Sequence, residues 1–413
     1  MAKPDVLTVR LKVVTPMFLG GADPNAQAEL RPPSIKGVLR WWYRALHPEL
    51  NWAEEAKIFG WGGDHARQCP FSIRVSQAGS APVSGEAPGK KAPAYLGYGV
   101  IGRPYVAEGT ELSVELVWRP GYAERHSDGL REVLRALWAL CHLGGLGSRW
   151  RRGFGSVVLS DVAGPTWLKE LAKEELGPTQ GPVEEVIAER LKDLPARRAA
   201  PGEHTCVSRE ARFLIKRVSG DAAEALGEAD CDFRFGRSNS SHPRYPGARL
   251  YAGDTATVVR FLKEAEAQIA GRERPQWGPV RGVVVQVGKP LWRATFGLPH
   301  NYFFKRRGEL ARVETEAVVF EQTENGPGRK AISRRASPLL LHVHPADSGT
   351  TLVLSFMPSR VFLPAGARLT YRARPRDKEW WVEGEGEAPH TWQPVLGFLE
   401  WLKRRGWQEV GNR

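Results

Sequence analysis

Along the first 160 residues, apolar side chains recur either at every second residue, as in a strand, or at the spacing of a helix. The order of these two patterns restricts the fold more than any other feature of the sequence. Residues 6–14, VLTVRLKVV, alternate apolar and polar side chains, which is typical of a half-buried strand, and residues 110–119 do the same. Further strands are predicted over 70–75 and 156–159, and helices over 35–46 and 128–143. The order strand, helix, two strands, helix, strand is that of a ferredoxin-like domain.

The first predicted helix has one apolar and one basic side. The prolines and serine of RPPS predict its start, with Ser34 as the N-cap. Lys36, Arg40 and Arg44 follow at i, i+4 and i+8 and share one side. Like charges at this spacing repel by about 0.2–0.5 kcal/mol per pair. The row therefore indicates an anionic partner, and a solvated face is the alternative.

A glycine- and arginine-rich stretch, GGLGSRWRRGFGS, occupies residues 144–156 and is named the Gly-Arg loop. It holds five glycines, three arginines (Arg149, Arg151 and Arg152) and no acid. Glycine permits close approach to the backbone, and arginine presents a planar cation suited to phosphate. The loop therefore predicts a cradle for a polyanion, with a solvated surface turn as the alternative. It matches neither GxGxxG nor GxxxxGK[ST].

Aromatic residues are interleaved with these cations, at Trp41, Tyr43, Trp150 and Phe154. Positive charge combined with aromatic stacking platforms is what a single-stranded nucleic-acid channel needs. Core packing is the alternative for all of them, and it is the preferred interpretation for Trp42.

The rest of the chain predicts a second block of the same class. Residues 167–194 read as helical, 195–204 as a connector, 212–218 as a strand, 232–249 as irregular and 255–270 as a helix; strands over 283–287, 337–344 and 351–362 and a helix over 390–405 follow. The prediction is an α+β fold with two ferredoxin-like (RRM-like) domains, the second degenerate. Its boundaries are an N-terminal domain over 1–162, a helical and irregular connecting region over 163–275, and a C-terminal domain over 276–413.

Composition and residue spacing indicate an acidic partner and argue against a metal protein, a disulfide-stabilised protein and a membrane protein. A formal charge of +13 indicates nucleic acid or an acidic surface as partner. The four cysteines form no CxxC pair, so neither a zinc site nor a disulfide framework is expected. His342 and His344 lie at strand spacing without further ligands placed by the sequence, so no metal and no cofactor is predicted. No signal segment or 18-residue apolar run is present, and a cytoplasmic protein without membrane contact is expected.

Three motifs resemble a known family. TPMFLGG (15–21), RPPSIKGVLRWWYRAL (31–46) and the Gly-Arg loop resemble, in the same order, the three marks of the repeat-associated mysterious proteins, the RAMP superfamily of CRISPR effector complexes. The doubled tryptophan at 41–42, FGLP (296–299) and RRASPL (334–339) resemble one branch, the first RAMP subunit of the Cmr (type III-B) complex.

The resemblance implies two ferredoxin-like domains and a non-catalytic role near the 3′ (head) end of the guide (CRISPR) RNA. There the subunit would contact guide RNA and other RAMP subunits and assist capture of target RNA. With Arg44 added from its place in the basic row, the residues expected to bind RNA are Lys36, Arg40, Arg44, Gly147, Ser148, Arg149, Arg151, Arg152, Arg334 and Arg335.

Two other functions remain open on the sequence. The first is a metal-independent endoribonuclease that processes CRISPR repeat RNA, with His126 or His142 as general base on a 2′-hydroxyl. The second is an architectural protein whose basic face meets acidic partner subunits.

Overall fold

A computed structural model of the chain describes residues 3–21, 23, 27–63, 66–78, 93–177, 181–237, 251–304, 308–323, 326–332, 334–364 and 366–410. The chain divides into two compact units. The first comprises Met1–Phe233, Leu339–Arg360 and Arg405–Arg413, and the second comprises Arg234–Pro338 and Val361–Arg404. The division differs from the sequence boundaries at 162 and 275 because strands far apart in the chain pair with one another.

The N-terminal part of the first unit is a four-stranded antiparallel sheet with two long helices. In chain order its elements are β1 (Asp5–Val13), α1 (Pro32–Leu46), α2 (Trp52–Phe59), β2 (Phe71–Ala78), β3 (Glu111–Trp118), α3 (Tyr122–Arg125), α4 (Ser127–Leu143) and β4 (Val157–Ala163). The strand order is β2-β3-β1-β4, with Val9 opposite Val114 and Val162. The predicted strands and helices are confirmed, with ends displaced by a few residues, and their order is ferredoxin-like.

The period-2 pattern of β1 determines which side of this sheet is covered. Leu7, Val9 and Leu11 have no exposed surface, whereas Arg10 and Lys12, which alternate with this buried series, are exposed. The buried side packs on the apolar stripes of α1 and α4 in one core. This core holds α1 against the sheet and fixes which of its side chains face outward.

The start of α1 corrects one prediction. The N-cap is Arg31, and Pro32 and Pro33 occupy the first helical positions, so Ser34 lies within the first turn and is not the N-cap. Proline is favoured there because its φ is already helical and the first N–H groups have no partner inside the helix.

The remaining elements follow in chain order: α5 (Thr166–Leu176), α6 (Val183–Asp193), β5 (Arg212–Val218), α7 (Ala222–Arg237), α8 (Ala252–Ile269), β6 (Trp277–Val287), β7 (His300–Phe303), β8 (Arg312–Thr323), β9 (Gly326–Ile332), β10 (Leu339–Ala346), β11 (Gly349–Phe356), β12 (Arg368–Arg374), β13 (Glu379–Glu387), α9 (Gln393–Lys403) and β14 (Gln408–Glu409). The predicted helical region 167–194 contains two helices, and the first ends at Gly177, whose φ is +69°. The predicted irregular stretch 232–249 is helical as far as Arg237, and its other residues lie outside the described ones.

A second sheet in the first unit repeats the order of the first. Its strands run β10-β11-β5-β14, and β11 pairs antiparallel with both β10 and β5. In chain order β5, α7, β10, β11 and β14 give strand, helix, two strands and strand, and α9, which precedes β14 in the chain, is assigned to the second unit. The α+β prediction is confirmed, and segments inserted before β10 and after β11 explain why the repeat is hard to see in the sequence.

The inserted segments supply the sheet of the second unit. Its strands run β6-β13-β12-β8-β7, with β9 paired to β8, and β6 lies parallel to β13. Side chains of α8, among them Phe261 and Leu262, form a core with Val285 and Tyr371 on one side of this sheet.

Candidate nucleic-acid interface

The basic row of α1 is largely neutralised by a buried carboxylate. Glu55, on α2, has no exposed surface and accepts hydrogen bonds from Arg44 Nε at 2.8 Å, from Arg44 Nη2 at 2.7 Å and from Arg40 Nε. Burial alone would raise the pKa of Glu55, but the hydrogen bonds from Arg44 and Arg40 outweigh it and lower the pKa. Arg40 and Arg44 therefore already have a counter-ion within the protein, and their contact with RNA stays a prediction.

The glycines of the Gly-Arg loop serve its own packing. A Cβ on Gly155 would lie 1.9 Å from the carbonyl oxygen of Leu146, and one on Gly147 would lie 2.4 Å from that of Phe18. Both glycines have positive φ, +63° and +84°. They are needed to bring the loop against the segment that follows β1, so their first role is structural.

Hydrogen bonds complete this attachment. Ser148 N donates to Phe18 O at 2.6 Å, Gly155 N to Pro16 O at 2.9 Å, and Thr15 Oγ1 to Gly153 O at 2.7 Å. The two motifs TPMFLGG and GGLGSRWRRGFGS therefore form one substructure. The exposed part of the loop is the tip around Ser148 and Arg149.

Arg149 adopts a conformation that usually requires glycine, with φ of +63°. Its guanidinium donates to the carbonyl of Tyr98, on the segment between β2 and β3. Burial, followed by repulsion from Arg103, lowers the pKa of Arg149. The charges of Arg103 and Arg149 therefore repel each other. Sequence reasoning missed Arg103, which lies in no motif.

Arg151 connects the loop to α1. Its guanidinium carbon lies 4.7 Å from the ring centroid of Trp41 and 5.2 Å from that of Trp150. The two rings meet edge to face, with centroids 5.0 Å apart. The first helix and the loop therefore meet, through two half-buried tryptophans with an arginine over both.

Other predicted site residues have different surroundings. The backbone of Arg152 makes two interactions. Its N–H donates a hydrogen bond to Arg149 O at 2.7 Å, and the residue forms a β-bridge with Leu341. Tyr43 and Phe154 are 3% and 1% exposed, so they are core residues and not stacking platforms. Trp42 is fully buried, as expected.

Arg334 and Arg335 lie in the second unit, where Arg335 exchanges backbone hydrogen bonds of 3.0 and 2.8 Å with Leu298. The motifs RRASPL and FGLP are therefore paired with each other. Burial lowers the pKa of Arg335, while Arg334 is exposed.

His142 does not have the environment of a general base. It is 6% exposed, its Nδ1 is 2.8 Å from Trp138 O, and burial lowers its pKa to about 4. Its ring stacks on His344, and His342 Nδ1 donates to Gly144 O at 2.7 Å, so this histidine cluster supports the start of the Gly-Arg loop. His126 is exposed and stacks on Tyr122.

Among the described residues, no three His, Cys, Asp or Glu side chains are grouped as a metal site would require. In the same part of the chain, no helix is both long and apolar enough to cross a bilayer.

Residues 10–158 match the family model of the RAMP superfamily. Over these residues, the chain is similar to the RAMP superfamily. The matched residues, named the RAMP segment, contain α1, the segment after β1 and the Gly-Arg loop. The resemblance that these motifs indicated in the sequence is therefore confirmed.

The chain is also similar to individual proteins. Over 57 residues it is 42% identical to the CRISPR system Cmr subunit Cmr1-2 of Pyrococcus furiosus, and these residues are 12% of this chain and 30% of that protein. The crystal structure of Cmr1 from Pyrococcus furiosus (apo form) is 18% identical, with 98% of each chain covered and a TM-score of 0.52, which shows a shared fold. A chain of the type III-B Cmr-beta complex bound to cognate target RNA is 12% identical, with 97% and 99% covered and a TM-score of 0.46.

Proposed function

We propose that this chain is a non-catalytic RNA-binding subunit of a cytoplasmic type III-B CRISPR (Cmr) interference complex. It lies at the head end, near the guide-RNA 3′ end, contacts neighbouring RAMP subunits and assists capture of target RNA. The RAMP segment and the curated relative, which is named as a Cmr subunit, support this assignment.

The observation that carries the proposal is the contact of Arg151 with Trp41 and Trp150. It joins α1 and the loop tip into one surface that offers both positive charge and aromatic rings. Single-stranded RNA is bound by this combination, because phosphates pair with cations and bases stack on planar groups.

The cations of this surface differ from those expected on the sequence. Arg40 and Arg44 already share Glu55, whereas Arg103 and Arg149 are close enough to repel each other. A phosphate would relieve that repulsion and accept charge-assisted hydrogen bonds. Lys36, Arg103, Arg149 and Arg151 are therefore the proposed phosphate-binding residues.

A charge-matched pair of variants tests the surface. The triple variant R103Q/R149Q/R151Q should bind a short unstructured RNA at least tenfold more weakly, because each lost phosphate contact removes a charge-assisted hydrogen bond. The control R10Q/K12Q/R74Q removes three exposed cations from β1 and β2 and should bind as the parent does. If only the control variant lost affinity, the RNA-binding site would lie instead on the exposed side of the sheet that contains β1 and β2.

The position in the complex and the lack of catalysis are tested separately. Crosslinking within the assembled complex should join peptides containing Arg103 or Arg149 to the 3′ part of the guide RNA, and crosslinks confined to its 5′ part would contradict the head-end position. Incubation of the pure protein with repeat RNA in EDTA should leave the RNA intact, which tests the exposed His126 as well as the buried His142 as general base. Discrete cut products would instead favour the endoribonuclease.

A further inference from the structure

The sheet of the second unit has an outer side, away from α8, that carries a row of aromatic and arginine side chains. The row, named the aromatic–arginine row, consists of Phe303, Arg312, Arg374, Trp381 and Trp277. In register, Phe303 lies opposite Arg312, and Arg312 lies opposite Arg374. The row therefore crosses the sheet from β7 to β6.

Three of the four successive pairs in the row are in ring contact, and the fourth, Arg312 and Arg374, is related by register. The Arg312 guanidinium carbon lies 5.4 Å from the Phe303 ring centroid, and that of Arg374 lies 4.8 Å from the Trp381 ring centroid. Trp277 meets Trp381 edge to face at 6.1 Å. At the two ends, Phe303 is 62% exposed and Trp277 is 74% exposed. Contiguous exposed apolar surface of this kind often marks a binding site.

The two arginines of the row have no carboxylate close enough for a strong ion pair among the residues that the structure describes. Two arginines directly opposite each other on adjacent strands repel. The carboxylates paired with them are distant, at 3.9 Å for Arg312 and Glu314 and 4.0 Å for Arg374 and Glu379. By contrast, Arg372 on the same side of the sheet pairs with Glu316 at 3.1 Å.

Hydrogen-bond donors of the row are also unused. Arg312 Nε, Arg374 Nε and Trp381 Nε1 are buried and have no acceptor among the residues that the structure describes. Buried donors without acceptors are costly, so their occurrence on adjacent strands needs an explanation.

We propose that the aromatic–arginine row is a second binding site for single-stranded RNA. Bases stack on the exposed faces of Trp277 and Phe303, and a phosphate lies at the Arg312–Arg374 pair. A nucleotide supplies the planar ring and the anion that these side chains lack, whereas a neutral apolar protein surface would leave the two arginines facing each other. The inference rests on the proposed RNA-binding function and adds to it a site in the other unit.

The test uses the full chain and a fluorescent ten-nucleotide oligouridylate. The variant W277A/F303A removes two side chains that are more than half exposed, so the fold should be kept. Its affinity should fall about tenfold or more, because base stacking is worth about 1–3 kcal/mol per base. V284A is the matched control, since Val284 is 48% exposed on the same strand as Trp277 and lies outside the row.

The outcomes separate the two sites. If W277A/F303A binds the oligonucleotide as the parent does while R103Q/R149Q/R151Q does not, the row is not an RNA site and the proposed function stands. If neither variant loses affinity, both proposals fail. If W277A/F303A keeps its RNA affinity but no longer assembles with partner subunits, the row contacts protein and the inference is overturned.

Discussion

Arg44 holds the carboxylate of Glu55 through two hydrogen bonds, of 2.8 and 2.7 Å, and that carboxylate is wholly shielded from solvent. Arg40 donates to the same carboxylate. A row of cations that looks unpartnered along α1 is therefore an ion-pair cluster with α2, and Lys36 is the member left outside it.

We expect Glu55→Gln to lower the free energy of unfolding by about 2 kcal/mol, because two partly buried guanidinium groups lose their counter-charge. Denaturant unfolding monitored by circular dichroism measures the change. Glu54→Gln is the matched control on the same helix, since Glu54 pairs with Lys57 where both side chains are half exposed, and it should change stability by less than about 0.5 kcal/mol. Equal effects of the two substitutions would contradict the importance of the buried cluster.

Stability should also depend on the ionisation of Glu55 in acid. Its pKa is lower in the folded state than in the unfolded state, so its contribution is complete above pH of about 4.5 and is lost as the pH falls through the folded-state pKa. The difference in stability between the parent and Glu55→Gln should therefore shrink below pH of about 4.5. A difference that is constant down to pH of about 3 would show that the charge of Glu55 is not what matters.

Glycine substitutions should separate two contributions to the loss of stability, the cost of a positive φ and the cost of steric overlap with neighbouring atoms. Gly155→Ala places a methyl group 1.9 Å from Leu146 O at φ of +63°, and we expect a loss of more than about 3 kcal/mol. Gly102→Ala has a similar φ, +94°, but open space around the new methyl group, so its loss should be about 1 kcal/mol. Gly37→Ala, on the open side of α1, should stabilise the protein by about 0.5–1 kcal/mol. Thermal unfolding of the three variants checks the order.

The histidine cluster under the Gly-Arg loop should make the protein less stable as the pH falls from 7 to 5. Burial lowers the pKa values of His142, His342 and His344, so in this range the unfolded state takes up protons that the folded state does not. The loss should reach about 1–2 kcal/mol per histidine at pH of about 5.

Two variants test that pH dependence. His344→Gln should make the slope of stability against pH shallower by about a third, because one of three such groups is removed. His126→Gln alters an exposed histidine and should leave the slope unchanged. An unchanged slope in His344→Gln would mean that the cluster does not control acid sensitivity.

RNA affinity should fall with salt in proportion to the phosphate contacts. Four cations at about −0.7 each predict a slope of about −3 for log affinity against log salt. The double variant R103Q/R149Q should reduce the slope by about 1.4. Titrations at several potassium chloride concentrations measure it, and a slope near zero would exclude phosphate contact at this surface.

Much of the first ferredoxin-like domain could be predicted from the sequence because its elements are short, regular and adjacent in the chain. The alternation in β1 and the stripe on α1 reflect burial on one side, and such burial leaves a periodic pattern. The meeting of α1 with the Gly-Arg loop could be expected because both motifs occur in one family.

Most of the errors depend on contacts between different helices, strands and loops, which the local sequence pattern of one element does not contain. The sequence pattern around Arg40 and Arg44 does not indicate that Glu55, on the next helix, is buried beside them. Arg103 and the aromatic–arginine row lie in no motif and are assembled by a turn and by strand pairing. The sequence also shows five glycines in the loop without showing which atoms they approach.

The pairing of β14 with β5 has a consequence for how the molecule is made. Residues 408–409 complete a sheet that starts near residue 212. This sheet has its full complement of strands only after residue 409 has been synthesised, whereas the first sheet is complete by residue 163. Because contacts of long sequence separation form slowly, the nascent polypeptide should form the first sheet early and complete the sheet containing β5 much later.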